Sequence, residues 1–205
     1  MFDFSPEELT AKEKKKFLIG SVIPRPIALV STMSDAKIVN IAPFSYFNIV
    51  TYDPPILSIA VQRKNGELKD TSRNLFENGE AVVHVVDEAN VKAANLTSAS
   101  LSPDESELDI SPFTTLNSET VSVPGLREAK IRFETELHDS MTIYNEENIA
   151  SVDLILLKVT HYHIDQNIYY KEKGYVDPVA LRAVSRLAGN DYAETGKIFT
   201  VERPE

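Results

Sequence analysis

Four pieces of one stretch decide how this chain is read: Pro24-Arg-Pro-Ile-Ala-Leu-Val-Ser-Thr32, Asn40-Ile-Ala-Pro-Phe-Ser-Tyr-Phe-Asn48, Asp53-Pro-Pro55 and Arg63-Lys-Asn-Gly-Glu-Leu-Lys-Asp-Thr-Ser-Arg-Asn74. Pro24 and Pro26 fix an extended backbone and hold Arg25 between them. Residues 27–31, 38–42, 45–51 and 56–61 read as strands, separated by turn signals at Ser34-Asp35 and Asp53-Pro-Pro55. Pro43 interrupts the second run, which predicts a bulge or an edge strand there. Hydroxyls, amides and cations alternate with the apolar residues. A plain core strand does not need that mixture, whereas a pocket for a flat, anionic, ring-bearing ligand does.

Outward from this stretch, Thr10-Ala-Lys-Glu13 predicts a capping box and a helix over about 11–19, stopped at Gly20. Its Lys14-Lys15-Lys16 run reads as a solvated face. Asp70 is predicted to cap a helix over 71–78 that Gly79 ends. Residues 81–86 are strand-like, and Asp87 or Asn90 caps a helix over 91–96. The segment 100–118 is rich in Ser, Asp, Glu and Pro and reads as a surface excursion too polar for core. Pro124-Gly125 marks a turn. Residues 131–137 alternate as a half-exposed strand, and 151–163 form a long strand with 154–157 buried on both faces. Strands at this spacing, with few helices and no βαβ rhythm, predict one closed antiparallel barrel over residues 1–205.

Composition narrows the function. Asp and Glu total 31 against 21 Lys and Arg, a formal charge of −10, which argues against general affinity for nucleic acid or anionic membrane. The chain has no cysteine, which excludes disulfides, thiolate metal sites and cysteine nucleophiles. No apolar run approaches a membrane helix, and the acidic N-terminus lacks the pattern of a signal peptide, so cytoplasmic residence is expected.

A phosphate needs hydroxyls, amides and cations converging on one point. Ser31, Thr32, Ser45, Arg63, Lys69 and Thr71 offer these, beside the amino end of the 71–78 helix. Lys69-Asp70-Thr71 reads equally as a plain solvated helix start. Phe44, Tyr46 and Phe47 beside Asn40 and Asn48 suit a ring with polar edges, or ordinary cross-strand packing. His161 and His163 share a strand face at i, i+2, with no third ligand evident for a metal. His84, in an apolar run, reads as structural.

The ordered set of pieces resembles the flavin reductase-like family, and Arg186-Leu-Ala-Gly-Asn-Asp-Tyr192 is similar to that family's closing segment. The likeness spans roughly 21–192. It implies a mainly β fold: a six-stranded antiparallel Greek-key split β-barrel with accessory helices. It further implies bound FMN, a homodimer with the flavin near the interface, and NADH or NADPH as electron donor. Carried over by position, Ser31, Thr32, Ser45, Lys69 and Thr71 serve the phosphate and ribityl chain, with Arg63 a weaker candidate. Asn40, Ala42, Pro43, Phe44 and Asn48 line the ring, and Arg186 and Tyr192 close the site. No protein acid or base is assigned, because flavin carries the chemistry. An electron carrier without its own nicotinamide site, or a barrel holding haem or pyridoxal phosphate, stands as the alternative. Two departures from the family pattern are the acidic 100–118 excursion and Thr135, where a cysteine is common.

Overall fold

A computed structural model describes residues 1–204. Its centre is one antiparallel sheet of seven strands: β2 (Ala28–Met33), β3 (Val39–Phe44), β4 (Phe47–Tyr52), β5 (Pro55–Gln62), β6 (Glu80–Val85), β9 (Ile131–Tyr144) and β10 (Ala150–Ile164). They lie in the order β3-β2-β6-β9-β10-β5-β4. A smaller sheet joins β1 (Arg25–Pro26), β13 (Val184–Arg186) and β14 (Tyr192–Glu194), so the tail is stitched back onto the start of the decisive stretch. Two-stranded pairs form from β7 (Thr115–Leu116) with β8 (Gly125–Leu126), and from β11 (Tyr169–Tyr170) with β12 (Tyr175–Val176). The helices are α1 (Ala11–Ser21), α2 (Asp70–Asn78), α3 (Val91–Leu96) and the single turn α4 (Pro178–Leu181).

The mainly β barrel class holds, with seven strands in the main sheet where the resemblance implies six. The seventh is β4, paired onto the β5 edge from Phe47 opposite Ile59 to Tyr52 opposite Pro55. The sheet curls around one core, in which Ala28, Val30, Leu57, Ile59, Ile155 and Leu157 meet. Strand periodicity sends Leu29 to the opposite face, where it packs with Ile41, Val86, Ala94, Phe113 and Leu126. That outer layer explains why Ala28 through Thr32 are all buried.

Several expectations change here. The 100–118 excursion is not wholly surface. Phe113 joins the outer layer, and Glu107 is buried beside β3. Leu154 and Leu156 are half-exposed while Ile155 and Leu157 are buried, so β10 alternates. Gly125 extends into β8 rather than only turning. Asp70 is the first residue of α2 and not its cap. Lys69 occupies the cap position with no side-chain bond, and the Asp70 carboxylate pairs with the Arg73 guanidinium. The Thr10–Glu13 capping box forms as read, and Gly79 ends α2 at φ 72°, the left-handed conformation glycine adopts at least cost. Pro43 sits on β3, an edge strand of the sheet, where a missing amide is tolerated.

Candidate functional site

At the C-terminal end of β3 the chain opens into a cleft with two limbs. Pro43, Phe44 and Lys69 line both limbs, so the two adjoin. The larger limb encloses about 910 Å³. Five cations line it, Lys15, Arg25, Arg63, Lys69 and Arg186, and no carboxylate does. Its apolar surface comes from Leu18 and Ile19 of α1, Phe44, Tyr46 and Leu187. The smaller limb, about 360 Å³, is mixed in charge: Lys64, Lys69 and Arg73 face Glu67, Asp70 and Glu107. Asn40, Ala42, Thr71 and residues 97–101 complete it.

The cations are not equivalent. Arg25 is 7% exposed, and its Nη1 donates to Ile19 O and Val22 O at 2.6 Å each. Its Nη2 donates to Leu187 O at 2.8 Å. It therefore fastens the carboxyl end of α1, where a cation is favoured, to the tail. Arg63 is held by the buried Asp153 carboxylate, with Nη2 to Oδ1 at 2.8 Å and Nε to Oδ2 at 3.0 Å, and Nη1 donates to Gly66 O. Its pKa is raised by the bond to Asp153. Lys69 is exposed and makes no ion pair among the described residues, nor does Lys15. Arg186 lies over the Tyr192 ring, 4.4 Å from its centroid, and donates to Gly189 O.

Behind the limbs is a buried polar latch. Asn40 Nδ2 donates to Thr71 Oγ1 at 3.0 Å and to Thr32 Oγ1 at 3.3 Å. Asn74 Nδ2 donates to the same Thr32 oxygen at 3.1 Å. Thr32 thus ties β2, β3 and α2 together and fixes where the amino end of α2 stands. Thr71 accepts from Asn40 and keeps its hydroxyl proton for a further acceptor.

The structure gathers Asn40, Ala42, Pro43, Phe44, Ser45, Arg63, Lys69, Thr71 and Arg186 around this cleft. Four other residues singled out from sequence stand apart. Ser31 is fully buried, and its Oγ donates to Pro124 O at 2.8 Å. Thr32 is buried in the latch. Consecutive strand residues face opposite sides, so the Ser31 and Thr32 side chains point apart. Asn48 lies on the β4 edge beside a separate apolar cleft with Phe47, Ile49 and Tyr162, and its Oδ1 accepts from Ile49 N. Tyr192 reaches the cleft only through Arg186, with its hydroxyl donating to Asn95 Oδ1 at 3.0 Å.

The sequence reading missed Lys15, Leu18 and Ile19. Their i, i+3, i+4 spacing, which puts them on one helix face, was the available signal. It also missed Glu107. That carboxyl is 5% exposed, and burial raises its pKa, with Asp70 adding to the effect. His84 is structural. It is fully buried, with Nδ1 donating to Leu29 O at 2.8 Å and Nε2 accepting from Leu126 N at 2.9 Å. The His161 and His163 rings lie 4.6 Å apart, and His163 Nε2 is 2.6 Å from Glu134 Oε1. Strand pairing thus supplies a carboxylate that the sequence did not reveal. Among the described residues, no group of three or more His, Cys, Asp or Glu is arranged to hold a metal. No described helix is long and apolar enough to cross a membrane.

The cleft, cationic at one end and walled by aromatic and aliphatic side chains, is carried by a split barrel. Residues 19–178 match the family described as the flavin reductase like domain, and the chain belongs to that family. The chain is 50% identical over 204 residues to the uncharacterised protein YwrF of Bacillus subtilis, covering all of both. Nitrilotriacetate monooxygenase component B from Bacillus cereus superposes with a TM-score of 0.95 at 44% identity, covering 98% of each chain. The 2-nitrobenzoate 2-nitroreductase NbaA of Pseudomonas fluorescens gives 0.88 at 28% identity, covering 99% of this chain and 96% of that one. The family places the chain among flavin-linked redox proteins.

Proposed function

We propose that this protein is an FMN-dependent oxidoreductase of the flavin reductase type, drawing electrons from NADH or NADPH. The observation that carries the reading is the larger limb: five cations and no carboxylate in a chain whose formal charge is −10. A phosphate monoester is the natural occupant of such a limb, and a ring can lie along Pro43 and Phe44 toward the smaller one. The donor set fits the group. Lys69, Lys15, Arg186 and the Ser45 hydroxyl would hold the phosphate. Thr71, Asn40 and Ala42 would face the ring. Chemistry supplied by the bound flavin would be acceptance of hydride from the nicotinamide, with a proton from water, and onward delivery of two electrons to free flavin, a partner protein or a small acceptor. The protein's own part is to neutralise the phosphate, to set the ring against β3 and to hold α2 in place through the latch.

We further propose that residues 1–205 form one domain, that two copies associate with the flavin near their interface, and that the protein works in the cytoplasm. Sedimentation of the holo-protein at twice the mass of one chain would support the pairing. A single-chain mass would reject it.

The test of function is direct. The purified protein should be yellow, release FMN on denaturation, and be bleached by NADH or NADPH. Lys69→Ala should weaken FMN binding by about tenfold, the loss expected for one charge-assisted contact. A colourless protein that takes up no FMN sinks the reading. Bound flavin that neither nicotinamide reduces favours the electron-carrier alternative.

A further inference from the structure

The two limbs of the cleft differ in a way that the phosphate reading leaves unexplained. One end holds only cations. The other ends on a buried carboxyl, Glu107, carried by a short 3-10 turn at residues 107–109. That turn is docked by its own polar atoms onto the open edge of β3. Ser106 Oγ donates to Val39 O at 2.5 Å, and Glu107 Oε2 accepts from Ile41 N at 2.8 Å. Together they do for β3 what a further strand would do, one bond in each direction. This use takes one oxygen of the carboxyl. The other, Oε1, bonds no other residue among the described ones, the only further amide acting on this carboxyl being Glu107's own, and it is not among the atoms sealed away from solvent. Glu107 lines the smaller limb alongside Asn40, Ala42 and Thr71. Glu107 is a buried residue whose carboxyl keeps acceptor capacity open to a binding cleft, and a ligand that shuts water out of that cleft must supply a donor in its place.

Resting on the FMN reading above, we propose that Glu107 is a specificity-determining residue: its free Oε1 accepts a hydrogen bond from an N–H at the edge of the bound ring system. Oxidised isoalloxazine carries one ring N–H, at N3 on its pyrimidine edge. FMN is therefore asymmetric in the same sense as the cleft, with a phosphate at one end and an N–H donor at the other. A ring without that N–H would leave a buried carboxylate oxygen unpaired, and such mismatches discriminate far more strongly than a lost apolar contact. Lys64, Lys69 and Arg73 share this limb with Glu67, Asp70 and Glu107, so its formal charge is balanced and does not repel the ligand as a whole.

The experiment compares FMN with N3-methyl-FMN, which keeps the phosphate and the flat ring but has no ring N–H. Fluorescence titration of the wild-type protein should show N3-methyl-FMN binding weaker than FMN by about tenfold or more, the scale of one hydrogen bond to a charged group. In Glu107→Gln the amide oxygen can still accept from Ile41 N, so the docked turn is retained, and the remaining NH₂ cannot accept. There the two flavins should bind within about twofold of each other. Equal binding of both flavins by the wild-type protein overturns the proposal without any variant, as does a Glu107→Gln protein that keeps the full discrimination. If the wild-type protein binds neither flavin, the FMN reading falls and this one with it. A bare role in holding the turn would lower both affinities together and leave their ratio unmoved, which also counts against it.

Discussion

At the level of single residues, the side chains that matter most are the buried polar ones, because each is committed to named partners. His84 is the clearest case. Burial holds its pKa down at about 3, against an ordinary 6.5, and the ring stays neutral with one nitrogen donating and the other accepting. The unfolded chain takes up a proton near 6.5 and the folded chain does not. The stability that His84 confers is therefore full above 6.5 and is lost as pH falls toward 3. His84→Ala leaves Leu29 O and Leu126 N unpaired and opens a cavity, which should cost about 2–5 kcal/mol at neutral pH. The gap between variant and wild type, measured by denaturant unfolding, should narrow steadily from pH 6.5 to 3. A gap independent of pH would refute the neutral-ring assignment. Glu134 on β9 follows the opposite logic to Glu107. Burial alone would raise its pKa, but the Glu119 and Thr120 amides, the Thr120 hydroxyl and the His163 ring outweigh that and hold it at about 2. At this scale the sequence was least legible. It picked out the hydroxyls of Ser31 and Thr32 without showing that both are buried on opposite faces of β2. It read Glu107 as surface, because the partner that buries it, Ile41, lies 66 positions earlier.

Elements were more legible, because their signals are local. The capping box at Thr10, the αL glycine at 79 and the proline on an edge strand each follow from the conformational limits of one or two residues. The start of α2 was misjudged for a related reason. Asp favours the cap position, but here the Asp70 carboxylate is drawn to Arg73 one turn on. What no local signal reports is the seating of one element on another. The latch of Thr32, Asn40, Thr71 and Asn74 joins two strands to a helix across up to 42 positions of chain. Its consequence is testable. Asn74→Ala removes one bond to Thr32 and leaves the Asn40 bond in place, so the chain should still unfold cooperatively, at a cost of about 1–2 kcal/mol. Because the loss loosens the amino end of α2, FMN affinity should fall severalfold even though Asn74 does not line the cleft. Unchanged affinity alongside the lost stability would show that the latch supports the fold and not the site.

For the molecule as a whole, the strong contrast is between a far field and a near field of opposite sign. The chain carries −10 formally, while the larger limb presents five cations and no carboxylate. If FMN is the ligand, as proposed, its approaching phosphate would be repelled by the whole and attracted by the part. The two fields differ in range. For 205 residues the radius of gyration is roughly 17 Å, so most of the acidic groups act from farther than a Debye length of about 10 Å at 0.1 M salt. Lys15, Lys69 and Arg186 would act on a bound phosphate from contact distance, where screening is weak, while Arg25 and Arg63 are committed to protein partners. Added salt must therefore erase the repulsion first and the attraction later. The association rate of FMN with the apo-protein should rise from very low salt, pass through a maximum near about 0.1 M, and then decline. The dissociation rate should change little until salt is high enough to compete at the limb itself. Lys69→Ala should speed dissociation and leave the position of the maximum nearly where it was, because that position is set by the acidic exterior. Stopped-flow fluorescence at several salt concentrations resolves both rates. An association rate that falls from the lowest salt onward would mean that the cationic limb governs at every distance, and that the acidic exterior plays no part in how ligand arrives.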